Sequence, residues 1–183
     1  TIFIHNRYFW VYFKDFKDFE DKFKVPVFGL REGVKLEERD QPKNQYYLLE
    51  KAGIRMPKIV REGGKKFGYE DTKKLLDTHF VTEKGGPLIV KVNEAIRSYE
   101  RAFFVITNTD SYFTVSEKMI NEGKINKKDL DNSVIEEFII GAQINFNFFY
   151  SPLNGELEIM GTDLRRQTSL DGFLRLNAGT QME

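Results

Sequence analysis

The stretch VIEEFIIGAQINFNFFY, residues 134–150, constrains the fold more than any other part of the chain. A short apolar run ends there in two carboxylates, passes a glycine, and continues as a run in which amides and aromatics alternate. Strict alternation marks a β-strand with two unlike faces. Gln143, Asn145 and Asn147 fall on one face, and Ile144, Phe146 and Phe148 on the other. The aromatic face is expected to pack and the amide face to bind.

Other short apolar runs give further strands: residues 2–4, the VPVFG run at 25–29, PLIVKV at 87–92 and AFFVI at 102–106. Between them lie helical patterns. Phe16, Phe19 and Phe23 recur at i, i+3 and i+7, which makes one apolar helix face. Pro42 suits the first turn of a helix carrying Leu48, Leu49 and Ala52, with Gly53 at its end. A third helix is expected over residues 112–122, closed by Gly123, and Asn126 is placed to cap a short turn through Leu130. Residues 61–86, rich in glycine and lysine, read as an insertion or mobile connection with a short helix near Asp71 and solvated charges. Asn154-Gly155 signals a hairpin between the aromatic strand and residues 157–161.

Composition narrows the function classes. Lysine plus arginine and aspartate plus glutamate number 28 each, so the formal charge is zero and the general attraction to a phosphate backbone is missing. Nucleic acid is disfavoured as a partner. The apolar runs are too short to cross a bilayer. No cysteine is present, which removes disulfides, thiolate nucleophiles and cysteine-held metals, and suits a cytoplasmic protein. Two histidines, His5 and His79, exclude an all-histidine metal site. The start on TIFI and the end on Gln-Met-Glu lead us to expect an internal segment of a longer protein.

Lysine inside the run PLIVKV poses a physical problem, because an unpaired ammonium is costly to bury. Lys91 must therefore lie at a sheet edge or meet an anion. The loop NEAIRSYER, residues 93–101, leads into AFFVI, so Arg97 and Arg101 are expected to flank a hairpin close to Lys91. Arg165 and Arg166 crowd beside Asp163, as salt-bridge partners or as anion readers.

The ordered set LLEKAGIRMPK, PLIVK and VIEEFIIGA resembles the first half of an ATP-grasp fold. FFYSP, ELEIMGTDLRRQT, SLDGFLRL and the final TQME more narrowly resemble archaeal PurP-type formate-dependent 5-formaminoimidazole-4-carboxamide ribonucleotide synthetases, with this chain as a paralogous branch. The resemblance implies an α+β, partial ATP-grasp fold over residues 31–183, preceded by the end of an α/β domain at 1–30. It implies an ATP-dependent carbon–nitrogen ligase of purine biosynthesis, using ATP and magnesium with the metal ligands outside this segment. In that scheme Lys91, Arg97 and Arg101 meet the nucleotide phosphates. Glu136, Glu137, Phe138 and Ile139 form the adenine hinge, and Gln143 stands where many such proteins place a ribose-binding glutamate. Arg7, Asn145, Asn147, Arg165 and Arg166 turn toward the ribonucleotide. No catalytic group is assigned.

Two departures keep other readings open. The loop after the lysine strand has no glycine and two arginines, and Arg7 stands where the family has a small hydroxyl residue. A ligase with another carboxylate or amine acceptor, or a nucleotide-binding subunit without turnover, would also fit, and a homo-oligomer is left open.

Overall fold

A computed structural model describes residues 3–4, 16–28, 39, 42–92, 103–141, 144–151 and 153–163. The protein is mixed α and β, as the sequence implies. Near its start, β1 (Phe3–Ile4) pairs in parallel with β2 (Val27–Phe28), and α1 (Phe16–Phe23) lies between them in the chain. Parallel neighbours need such a crossover. Phe16 is buried, whereas Phe23 at the far end of the apolar stripe is exposed and lies against Phe19.

The central body is a four-stranded antiparallel sheet in the order β3-β6-β4-β5, built from β3 (Ile59–Arg61), β4 (Leu88–Lys91), β5 (Phe103–Ile106) and β6 (Val134–Glu137). Its helices are α2 (Gln45–Lys51), α3 (Tyr69–Asp77), α4 (Thr109–Asn121) and α5 (Lys127–Asp131). A π-helical turn, Thr78–Thr82, prolongs α3.

Alternation along the strands sorts side chains between the two faces. Leu88, Val90, Phe104, Ile106 and Ile135 join Leu76, Tyr112, Met119, Ile125 and Leu130 in the main core. The intervening residues Ile89 and Val105 form a smaller cluster with Phe103 and Phe138 on the opposite face. Lys91 and Glu136 share the periodicity of that second face.

Several boundaries follow from caps. Asn44, not Pro42, starts α2: its side chain accepts from the N–H groups of Tyr46 and Tyr47. Pro42 therefore lies before the helix, because the amide two residues later satisfies the free N–H groups better. Gly53 and Gly123 follow their helices at φ of +65° and +69°, a conformation that favours glycine. Helix α4 begins at Thr109, three residues earlier than its apolar pattern suggests, because Asn108 and Ser111 form a reciprocal capping box.

Three expectations need correction. Strand β4 lies between β6 and β5, so Lys91 is not an edge lysine. Residues 61–86 are no mere insertion: Arg61 is almost fully buried in β3, and Leu76 and His79 are buried as well. Its guanidinium donates to the Ser133 carbonyl and hydroxyl, the Thr72 and Tyr112 hydroxyls and the Leu130 carbonyl, tying β3 to three helices and the start of β6. Finally, the aromatic face of the last hairpin is exposed. There β7 (Asn145–Ser151) pairs with β8 (Glu156–Asp163), and Phe146, Phe148 and Tyr150 share a face with Leu157 and Ile159. Phe146 is 62% and Ile159 72% exposed, against the expectation that this face packs.

Candidate functional site

Register brings the two main candidates together. In the β4–β6 pairing Lys91 lies opposite Val134, and Ile89 opposite Glu136. Lys91 and Glu136 are therefore diagonal neighbours on one face, within reach of long side chains. The Lys91 ammonium pairs with Oε1 of Glu136. Glu136 is 3% exposed and the lysine side chain 21%, so the carboxylate is enclosed while the ammonium keeps an opening. The lysine has met an anion, and that anion belongs to its own sheet.

The second oxygen of Glu136 accepts a hydrogen bond from the Tyr46 hydroxyl. Tyr46 stands in the first turn of α2, where the Asn44 cap fixes it. Its phenol is held well above the ordinary range, first by burial and then by the Glu136 charge, while the positive charge of Arg39 opposes both. Arg39 is itself buried and lies over the Phe103 ring at 5.5 Å. The Asn44 amide donates to the Arg39 carbonyl at 3.1 Å. Arginine, tyrosine, glutamate and lysine thus form one polar chain beside the apolar cluster of Ile89, Val105, Phe103 and Phe138.

At the end of β6 the next residues take different paths. Glu137 leaves the polar chain: its N–H donates to the Lys58 carbonyl at 2.9 Å, and its carboxylate accepts from the Lys58 N–H at 3.3 Å. The Phe138 N–H donates to the Pro87 carbonyl at 2.9 Å. Ile139 and Ile140 follow as exposed residues. Beside this segment Lys58 bridges to Glu83 at 2.5 Å, with the Glu83 carboxyl held below its usual range by that bond. The buried His79 ring lies 2.8 Å from the Gly86 carbonyl.

Of the residues singled out from the sequence, the structure thus joins Lys91 to Glu136, with Glu137, Phe138 and Ile139 continuing from the same strand. Asn147 lies apart on the exposed hairpin. Arg7, Arg97, Arg101, Gln143, Arg165, Arg166 and the side chain of Asn145 lie outside the described residues. Sequence reading missed Tyr46 and Arg39. The Asn44 cap was the available signal for Tyr46, since it fixes which residues occupy the first turn.

Two family models match the chain. One is described as a protein of unknown function (DUF1246) and covers residues 1–60; the other, a domain of unknown function (DUF1297), covers residues 111–183. Among curated proteins, a 5-formaminoimidazole-4-carboxamide-1-(beta)-D-ribofuranosyl 5'-monophosphate synthetase of Archaeoglobus fulgidus is 29% identical over 162 residues, which are 88% of this chain and 39% of that protein. Proteins of the same name from Methanococcus maripaludis and Methanothermobacter thermautotrophicus are each 32% identical over 90% of this chain and 39% of their own length. The chain spans about 39% of the length of these curated relatives. Over 90% of its own length, the chain is a homologue of archaeal 5-formaminoimidazole-4-carboxamide ribonucleotide synthetases.

Proposed function

We propose that this chain is part of an ATP-dependent carbon–nitrogen ligase of purine biosynthesis, and that the face bearing Lys91 and Glu136 takes the nucleotide. The observation that carries the proposal is the partly open ammonium of Lys91, held by an enclosed carboxylate beside an apolar floor. That combination suits a nucleotide, with a purine against the partly open rings of Phe103 and Phe138, which Ile89 and Val105 back from beneath, and phosphates toward Lys91. An ion pair between lysine and glutamate also holds the phosphate-binding lysine of protein kinases in place. The N–H groups of Glu137 and Phe138 are already used by Lys58 and Pro87, so backbone reading of an adenine edge falls to Ile139 and Ile140.

In this reading the fold is the first part of an ATP-grasp domain over residues 31–183, following the end of an α/β domain at 1–30. Arg97 and Arg101 add charge at the phosphates, and Gln143 contacts the ribose. Arg7, Asn145, Asn147, Arg165 and Arg166 face the ribonucleotide. Formate attacks the γ-phosphorus of ATP and releases ADP. The amine of an aminoimidazole carboxamide ribonucleotide then attacks the formyl carbon, and inorganic phosphate leaves. The protein's part is to hold the phosphoryl group between cations and keep water from the acyl phosphate. Among the described residues no group of three or more histidines and carboxylates is placed to hold a metal, so magnesium has no ligand assigned to it here. No helix among them is long and apolar enough to cross a membrane, and a cytoplasmic enzyme is part of the same reading.

The test is direct. Full-length protein mixed with ATP, magnesium, formate and the ribonucleotide should release ADP in step with formylated product. ATP binding without ADP release under those conditions would instead favour a nucleotide-binding subunit, the reading motivated by the glycine-free segment 93–101. ADP release with another acid or amine alone would point to a ligase of different substrate.

A further inference from the structure

We propose that Tyr46 is a positioning residue for the nucleotide phosphates: its hydroxyl holds Glu136 so that Lys91 can turn from that carboxylate toward a triphosphate. The inference rests on the reading of Lys91 as a phosphate ligand and adds a residue and a mechanism to it.

Both oxygens of Glu136 are engaged. One pairs with Lys91 and the other with Tyr46, and the carboxylate is nearly closed to water. When the lysine ammonium turns toward phosphate, Glu136 remains a buried anion. An enclosed carboxylate stripped of its partners is strongly unfavourable, so the lysine is free to move only if another donor stays behind. Tyr46 is that donor. Behind it the positive charge of the buried Arg39 acts on the phenol, which favours a hydroxyl that donates toward Glu136.

The donor is also well fixed. Asn44 caps the helix at the N–H groups of Tyr46 and Tyr47, and the same amide binds the Arg39 carbonyl. Gly63 closes over that carbonyl: a Cβ there would lie 2.5 Å from the oxygen. Arg39, Tyr46 and Glu136 therefore stay in place while Lys91, whose side chain is 21% exposed, moves. Without the tyrosine hydroxyl, the lysine becomes the main support of the carboxylate, and ATP must compete with it.

Tyr46→Phe keeps the ring and removes the hydroxyl. In the full-length protein, calorimetric titration with ATP and with adenosine separates the phosphate site from the base site. We expect ATP to bind about tenfold more weakly to Tyr46→Phe, the size of one hydrogen bond to a charged group, with adenosine affinity unchanged. That loss should vanish in a Lys91→Ala background, where no lysine is left to release. It should vanish also beside Glu136→Gln, which removes the charge that Tyr46 supports. Equal loss for ATP and adenosine, or a loss that adds to that of Lys91→Ala, would mark Tyr46 as merely structural and overturn the proposal. An unchanged ATP affinity in Tyr46→Phe would overturn it too. If Lys91→Ala itself binds ATP like the wild type, the phosphate-site reading fails, and the role of Tyr46 with it.

Discussion

Arg61 shows how much a single side chain can hold together. Its guanidinium is buried against hydroxyls and carbonyls from α3, α4, α5 and the start of β6, and lies 5.7 Å from the Tyr112 ring. Replacing it by methionine fills similar space but leaves those acceptors without donors. Arg61→Met should lower stability by about 1–3 kcal/mol, the range for leaving buried acceptors unsatisfied, seen as a lower denaturant midpoint. The sequence concealed this residue because it leads into a tract, residues 62–66, of glutamate, glycine and lysine, whose composition belongs to a loop. Burial of an arginine depends on partners such as Tyr112 and Leu130, far along the chain. Tyr46 was hidden for the same reason, its carboxylate partner being 90 residues away.

At the scale of elements, the π-helical turn and the glycines after it form one unit. His79 reaches the Gly86 carbonyl, and Gly85 donates its N–H to the His79 carbonyl at 2.8 Å. A Cβ on Gly85 would come within 2.2 Å of the imidazole ring. Gly85→Ala must therefore push His79 out of its buried place, and should cost about 1–3 kcal/mol, as overpacking does. Chemical denaturation measures it. The cap of α4 gives a milder case: Asn108→Ala should cost about 1 kcal/mol in the same assay, because the Ser111 N–H loses its acceptor. Elements such as β4, β5 and β6 were legible because apolar runs bounded by polar residues have a physical cause within the run itself. Strand order was not. The choice between an edge lysine and a paired lysine depended on which strand lies beside β4, and only the sheet answers that.

For the molecule as a whole, acid is the condition that tests its surface charges. The carboxyls of Asp77, Glu83 and Glu122 are each held below their ordinary values by hydrogen bonds from Lys73, Lys58 and Lys124 respectively. A depressed carboxyl contributes stability above its unfolded value and loses it as pH falls through the folded one. The unfolded values are 3.8 for aspartate and 4.5 for glutamate. Stability should therefore fall below pH 4.5, gently because all three groups are exposed and screened. Denaturant midpoints along an acid series should show this, and Lys58→Met should flatten the slope.

The hairpin of β7 and β8 tests the molecule differently. Its alternating faces were legible in residues 143–148, but alternation only separates two faces and does not say what covers either. Phe148→Thr with Ile159→Thr should reduce binding of a hydrophobic dye by the 183-residue chain while leaving its unfolding midpoint unchanged.

Asn44 carries a further implication. Its oxygen serves the start of α2, while its nitrogen serves the backbone at Arg39. Two atoms of one amide thus perform jobs that a chemist can separate. Aspartate in its place keeps the acceptor and discards the donor, so the helix should stay intact while the anchor of Arg39 is released. Asn44→Asp is in effect a fine adjustment screw for the candidate site, turning its far end without disturbing the helix that carries Tyr46.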